Sequence, residues 1–113
     1  MLPKKDVVRL RHMLEFAQQT RAFIEGRARE DLDADRMLLY AVVRGLEIIG
    51  EAASQVSQET RTACPMLPWR VMVDTRNRLI HAYFDLSFDT IWEVVRDDLP
   101  PLIADLEAIL GEP

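Results

Sequence analysis

Apolar residues recur along this chain at intervals of three and four in four separated stretches, and nowhere alternate with the period of two that marks a half-buried strand. This pattern predicts an all-α fold. The first stretch, about residues 4–26, puts Val7, Leu10, Leu14, Ala17 and Ile24 on one helical face, widened by Met13, Phe16 and Phe23, with Gly26 as a natural stop. The second, about 33–58, repeats the spacing at Leu39, Val42, Leu46, Ile49, Ala53 and Val56, with Asp31 or Asp33 as its N-cap. At 1.5 Å per residue it would span roughly 39 Å, so the first helix can lie antiparallel against it. Gly45 and Gly50 each cost that helix about 1 kcal/mol against alanine, and glycines so placed mark close approach of a neighbour. Residues 60–68 hold two prolines and read as a crossing loop. A short third helix begins near Trp69, carries Met72, Val73, Leu79 and Ile80 on its apolar side, and ends near Ala82. The stretch Ser87-Phe88-Asp89-Thr90 offers caps for the last helix, in which Phe88, Ile91, Val95, Leu99, Leu102, Leu106 and Ile109 keep register. Pro100 and Pro101 interrupt it, so a kink or a broken pair of helices is expected there. Four or five helices joined by short loops make an antiparallel up-and-down bundle.

Composition narrows the class. A chain of 113 residues suits a single domain, residues 1–113, and 49% hydrophobic with 29% charged residues is the balance of a globular protein. No apolar run approaches the roughly 20 residues needed to cross a bilayer, and the N-terminus lacks a signal-peptide core, so a cytoplasmic protein without membrane attachment is expected. One cysteine, Cys64, makes no internal disulfide, and two histidines, His12 and His81, supply no zinc-type cluster. No metal and no cofactor are expected. The net charge of −5 has the wrong sign for a broad nucleic-acid-coating surface, though it leaves room for a local basic cleft.

The candidate chemistry is Arg76 with His81, with Asn77 beside the arginine and Tyr83 two residues beyond the histidine. With twelve arginines and two histidines in the chain, a bare Arg-x(4–6)-His search expects about 0.6 chance matches. Geometry adds a constraint. Five residues on a straight helix turn through about 140°, so Arg76 and His81 cannot converge on one phosphate from a regular helix of one chain. Either the helix ends between them or two chains share the site. Arg76 also falls on the core-like register Met72, Arg76, Leu79, Tyr83, where an arginine is costly unless paired or facing a cleft, while His81 aligns with Asp74 and Arg78.

The segment Arg76-Asn77-Arg78-Leu79-Ile80-His81-Ala82-Tyr83 resembles the Arg-x4-His-x-Tyr motif of the HepT-like subgroup of HEPN ribonucleases. Leu46-Glu47-Ile48-Ile49-Gly50-Glu51-Ala52-Ala53 is similar to that subgroup's second-helix stretch, and length, helix order and the proline-interrupted last helix also match, so the resemblance covers nearly the whole chain. It implies a homodimeric helical bundle whose two motifs meet in a cleft and cleave RNA without metal. Histidine suits proton exchange near neutral pH, and arginine offers a permanently charged fork for phosphate oxygens. On this reading Arg76 stabilises transition-state charge, His81 transfers protons, Asn77 supplies a supporting hydrogen bond, and Arg78 steers phosphate from the surface. The resemblance further implies a type VII toxin–antitoxin system, with a minimal nucleotidyltransferase antitoxin adding AMP to Tyr83. A phosphate placed there could occupy the pocket and pair with Arg76.

Other readings compete at several positions. Tyr83 also fits a structural aromatic at a helix end. The polar stripe Tyr40, Arg44, Glu47 and Glu51 on the second helix could line a dimer cleft or meet the antitoxin, with Glu47 or Glu51 pairing Arg76. It could equally be a solvated face with an internal Arg44–Glu47 pair. His12 reads as surface, Cys64 as a small loop residue, and Trp69 and Trp92 as core or interface anchors. A different functional class also accommodates the bundle, a non-catalytic helical subunit that binds substrate or nucleotide for a nucleotidyltransferase. It would not need His81 as a proton-transfer group.

Overall fold

A computed structural model describes residues 1–81 and 86–111, and every regular element among them is helical. The four long helices expected from periodicity are present as α1 (Lys4–Phe23), α3 (Arg36–Ser54), α5 (Trp69–Leu79), and a last helix built from α6 (Phe88–Glu93) and α7 (Leu99–Leu110). Two short helices were not foreseen: α2 (Asp31–Ala34) and α4 (Gln58–Ala63). Helix α3 is the centre. It packs against α1 on one side and α5 on the other, α7 covers α1, and α5 and α7 touch only marginally. No helix among the described residues is long and apolar enough to cross a membrane.

The register read from the sequence is the register of the core. Leu10, Met13, Leu14, Ala17 and Ile24 of the first stretch are buried, as are all six apolar positions named on α3 and Ile91, Val95, Leu99, Leu102 and Leu106 of the last helix. Phe23 and Ile80 depart from it and are exposed, at 41% and 49%. Boundaries shift as well. The N-cap of α3 is Asp35, whose side chain accepts from the Leu38 N–H at 3.2 Å, rather than Asp31 or Asp33. Asp31 instead accepts from the Ala28 N–H at 2.8 Å and Asp33 pairs with Arg29 at 2.7 Å, so two of the three closely spaced aspartates serve a one-turn helix before the long one starts. At its other end α3 stops at Ser54, four residues short of the expected boundary. Ser57 then caps α4, accepting from the Thr60 N–H at 3.3 Å, so half of the expected crossing loop is a helix.

The last helix is joined throughout. A wide turn over Val94–Asp98, in which the Leu99 N–H bonds to the Val94 carbonyl five residues back, connects α6 to α7 without a loop. Pro100 and Pro101 enter directly after it, in the first turn of α7. Proline lacks an N–H and its ring clashes with the carbonyl four residues earlier, and the wide turn displaces those carbonyls where the clash would fall.

Three polar ties fix the ends of the elements. Arg61 donates to the Ala53 and Val56 carbonyls at 3.1 and 3.2 Å, satisfying the open C-terminus of α3, and lies 5.7 Å from the Trp69 ring. Trp69 Nε1 donates to the Cys64 carbonyl at 3.0 Å, which seats the start of α5. Asp6, only 2% exposed in the first turns of α1, accepts from the Ser57 N–H at 3.1 Å, the Ser57 hydroxyl at 2.6 Å and the Thr60 hydroxyl at 2.5 Å. Those hydroxyl bonds hold its carboxylate below the ordinary range against the opposing effect of burial.

Removing the Asp6 acceptor leaves Ser57 and the fully buried Thr60 without their partner, so Asp6→Ala is expected to lose about 2–3 kcal/mol at neutral pH. A carboxylate with a depressed folded pKa contributes fully above the unfolded value of about 3.9 and loses its contribution as pH falls through the lower folded value. The stability gap between wild type and Asp6→Ala, measured by urea denaturation, should therefore hold from pH 7 down to about 5 and close below about 4. A gap that did not change with pH would show that the carboxylate charge is not what ties α1 to α4.

Candidate active site at the end of helix α5

Arg76 lies on the side of α5 that faces α3, and a glycine makes room for it. A Cβ at Gly50 would collide with the Arg76 Cβ and lie 2.6 Å from the Met72 carbonyl oxygen. Met72 and Leu79, one turn either side of Arg76, are buried, so the arginine stem runs along the core register as expected. Its head group is handled unusually. Nη1 donates to Asn77 Oδ1 at 3.0 Å, while Nε is buried with no hydrogen-bond partner, and no carboxylate among the described residues pairs with Arg76. A buried unsatisfied donor costs about 1–3 kcal/mol, more when charged, and in native proteins such groups concentrate where a ligand completes them.

The helix ends between the two motif residues. Leu79 is the last residue of α5, the Ile80 N–H bonds to the Arg76 carbonyl at 3.1 Å, and His81 lies beyond the helix on the surface. The 140° separation of a regular helix therefore does not by itself fix where His81 lies relative to Arg76. The helix is also shorter than its expected end at Ala82. Asp74, Asn77 and Arg78 are exposed on the same stretch. Tyr83 lies outside the described residues.

Glu51 is exposed on the polar stripe of α3 and Glu47 is half-buried there, and neither bonds to Arg76. Glu47 pairs with Arg44 at 3.2 Å, and Glu51 lines a groove between α1 and α3 together with Arg9, His12 and Arg44. His12, read from the sequence as plain surface, is a half-buried wall of that groove. Cys64 is buried and its thiol is pushed up by burial, which agrees with a structural residue rather than a nucleophile. Trp92 is a core residue, and Trp69 is half-buried at the α4–α5 junction.

Residues 13–109 match the model of the family described as "Ribonuclease HepT-like". The chain belongs to the ribonuclease HepT-like family. Among its relatives, "Putative RNase MJ1380" of Methanocaldococcus jannaschii is 35% identical over 109 residues, covering 96% of this chain and all of that protein. "Probable ribonuclease HepT" of Thermococcus cleftensis is 39% identical over 80 residues, or 71% of this chain and 73% of the relative. "Putative RNase MJ1216" of M. jannaschii is 31% identical over 112 residues, covering 98% and 93% respectively. No solved structure shows significant similarity to the chain. Membership in this family supplies a chemical context, RNA cleavage, that the geometry of one arginine and one histidine does not specify.

Because the glycine sets how closely α5 approaches, Gly50→Ala should destabilise the protein by roughly 1–3 kcal/mol through overpacking, despite alanine's advantage of about 1 kcal/mol in helix propensity. Denaturant titration measures this. A Gly50→Ala protein as stable as wild type would show that α5 does not need the contact that seats Arg76.

Proposed function

We propose that this chain is the toxin of a type VII toxin–antitoxin pair and acts as a metal-independent endoribonuclease through Arg76 and His81. The observation that carries the reading is Arg76, its stem against Gly50 of α3, with a buried unpartnered Nε and no carboxylate among the described residues to neutralise it. A phosphate is the natural complement of such a group. Asn77, bonded to Nη1, keeps the guanidinium oriented.

In the proposed reaction the ribose 2′-OH attacks the adjacent phosphorus and loses its proton to a base. The 2′-O–P bond forms, the P–O5′ bond breaks, and the leaving 5′-oxygen takes a proton, leaving a 2′,3′-cyclic phosphate. His81, exposed at the end of α5, exchanges these protons. Arg76 stabilises the charge on the non-bridging oxygens of the pentacoordinate state. Two copies of the chain form a homodimer with their α5 ends facing across a cleft, and Ile80, exposed beside His81, supplies apolar surface for that contact. A separately encoded nucleotidyltransferase antitoxin transfers AMP to Tyr83, placing a phosphate two residues from His81 where it competes with substrate for Arg76.

Arg76→Ala and His81→Ala are each expected to lower RNA cleavage at least 100-fold, the lower end of what one acid–base or oxyanion-stabilising group supplies. Expression of the wild-type gene alone should slow growth and generate new RNA ends, and both variants should abolish this. Tyr83→Phe should stay toxic when the antitoxin is coexpressed and gain no adenylyl mass, whereas wild type gains it. A His81→Ala protein that cuts RNA at the wild-type rate sinks the assignment. Wild-type expression without new RNA ends moves the chain to the non-catalytic, nucleotide-binding class.

A further inference from the structure

We propose that the groove between α1 and α3 is an RNA-binding subsite that takes a nucleotide of the substrate strand away from the scissile phosphate. This inference rests on the ribonuclease reading above and says where the rest of the strand runs. The groove has a volume of about 430 Å³, within the range of roughly 300–1,000 Å³ typical of small-molecule pockets. Arg9, His12, Arg44 and Gln55 present polar groups into it, and Phe16 and Ile48 give it an apolar wall.

Charge selects the occupant. The chain carries a net charge of −5, and two clefts between α5 and α7 are lined by Asp98, one of them also by Asp105, with no cation in either lining. The α1/α3 groove instead holds two arginines against the single carboxylate of Glu51. Arg44 is partly compensated by Glu47 at 3.2 Å. Arg9 is half-buried and makes no hydrogen bond or ion pair among the described residues, so its charge has lost part of its hydration without gaining a partner. An anion from outside the protein completes it. A phosphate between Arg9 and Arg44 would leave the attached base against Phe16, the arrangement by which single-stranded nucleic acids are bound without strong sequence preference.

Placement joins this groove to the catalytic end. Successive residues of a helix turn by about 100°. Gly50 faces α5 and seats Arg76, while Glu51, the next residue, opens onto the groove. The groove, which Arg44 and Glu51 line, and the Arg76 face of α3 therefore adjoin around one helix, about 10 Å in diameter. A strand crossing α3 there reaches both.

The test uses full-length His81→Ala protein, so that RNA is held and not cut, with a fluorescein-labelled single-stranded RNA of mixed sequence followed by anisotropy. Adding Arg9→Ala and Arg44→Ala is expected to weaken binding at least tenfold at 100 mM salt. It should also reduce the slope of log K against log salt by about 0.7, the contribution of the one single-strand phosphate the two arginines share. Arg9→Lys with Arg44→Lys should recover most of the loss. With His81 intact, the alanine pair should raise KM far more than it lowers kcat. Unchanged affinity and salt slope in the alanine pair, beside a His81→Ala parent that binds RNA, overturns the groove alone. A parent that does not bind RNA overturns both the groove and the ribonuclease reading. Sedimentation decides the remaining case, because an alanine pair that changes the oligomeric state makes this face an interface between copies and not an RNA subsite.

Discussion

The absence of two side chains on α3 governs how this molecule is assembled. At Gly45 a Cβ would run into Thr20 of α1, and at Gly50 into Arg76 and the Met72 carbonyl of α5. The central helix thus accepts one neighbour on each side at a distance that alanine would forbid, accepting about 1 kcal/mol of helix propensity per glycine for the closer packing. Both neighbours bring a polar group into the contact. The Thr20 hydroxyl and Arg76 Nε are the two buried side-chain polar atoms without partners among the described residues, and each sits at one of these glycines. Close approach excludes the water that would otherwise satisfy them. For Thr20 the consequence is confined to packing, and for Arg76 it prepares a cation.

Asp6 shows the opposite treatment of a buried charge. Three donors from the α3–α4 junction converge on it, so its carboxylate is fully used inside the fold and its pKa falls. Among the described residues Arg76 receives one neutral acceptor, Asn77, and no counterion. The contrast separates a structural charge from one kept available, and it does so by partner count and not by residue type or depth. The same distinction applies to Arg61, spent on the carbonyls of α3, and Arg9, which is left open in a groove.

Much of the fold was legible because helical periodicity is a local property repeated many times. Ten or more apolar positions on α1 and α3 report the same buried face, so a single exception such as Phe23 does not disturb it. Boundaries were less legible, since each rests on one or two groups. Three aspartates between residues 31 and 35 are all competent caps, and only the chain's path selects Asp35. Helix α4 is announced by Ser57 alone, whose capping role becomes firm through Asp6, fifty-one residues away in sequence. The prolines of the last helix were visible, but their accommodation by a wide turn depends on keeping Leu99, Leu102 and Leu106 in the core.

By itself the sequence determined the four amphipathic helices, the pairing of the first two, and the eight-residue segment with its Arg-x4-His-x-Tyr spacing that marks the family. These are written in residue identities and intervals along the chain. The tertiary structure alone decided that α5 stops at Leu79, that the Arg76 stem lies over Gly50 with Nε buried and without a partner, and that Arg9, His12 and Arg44 share a groove. Those features depend on which residues distant in sequence become neighbours and on how much water remains between them. Burial, partner count and helix ends are set by that packing, and a local pattern of apolar and polar positions does not carry it.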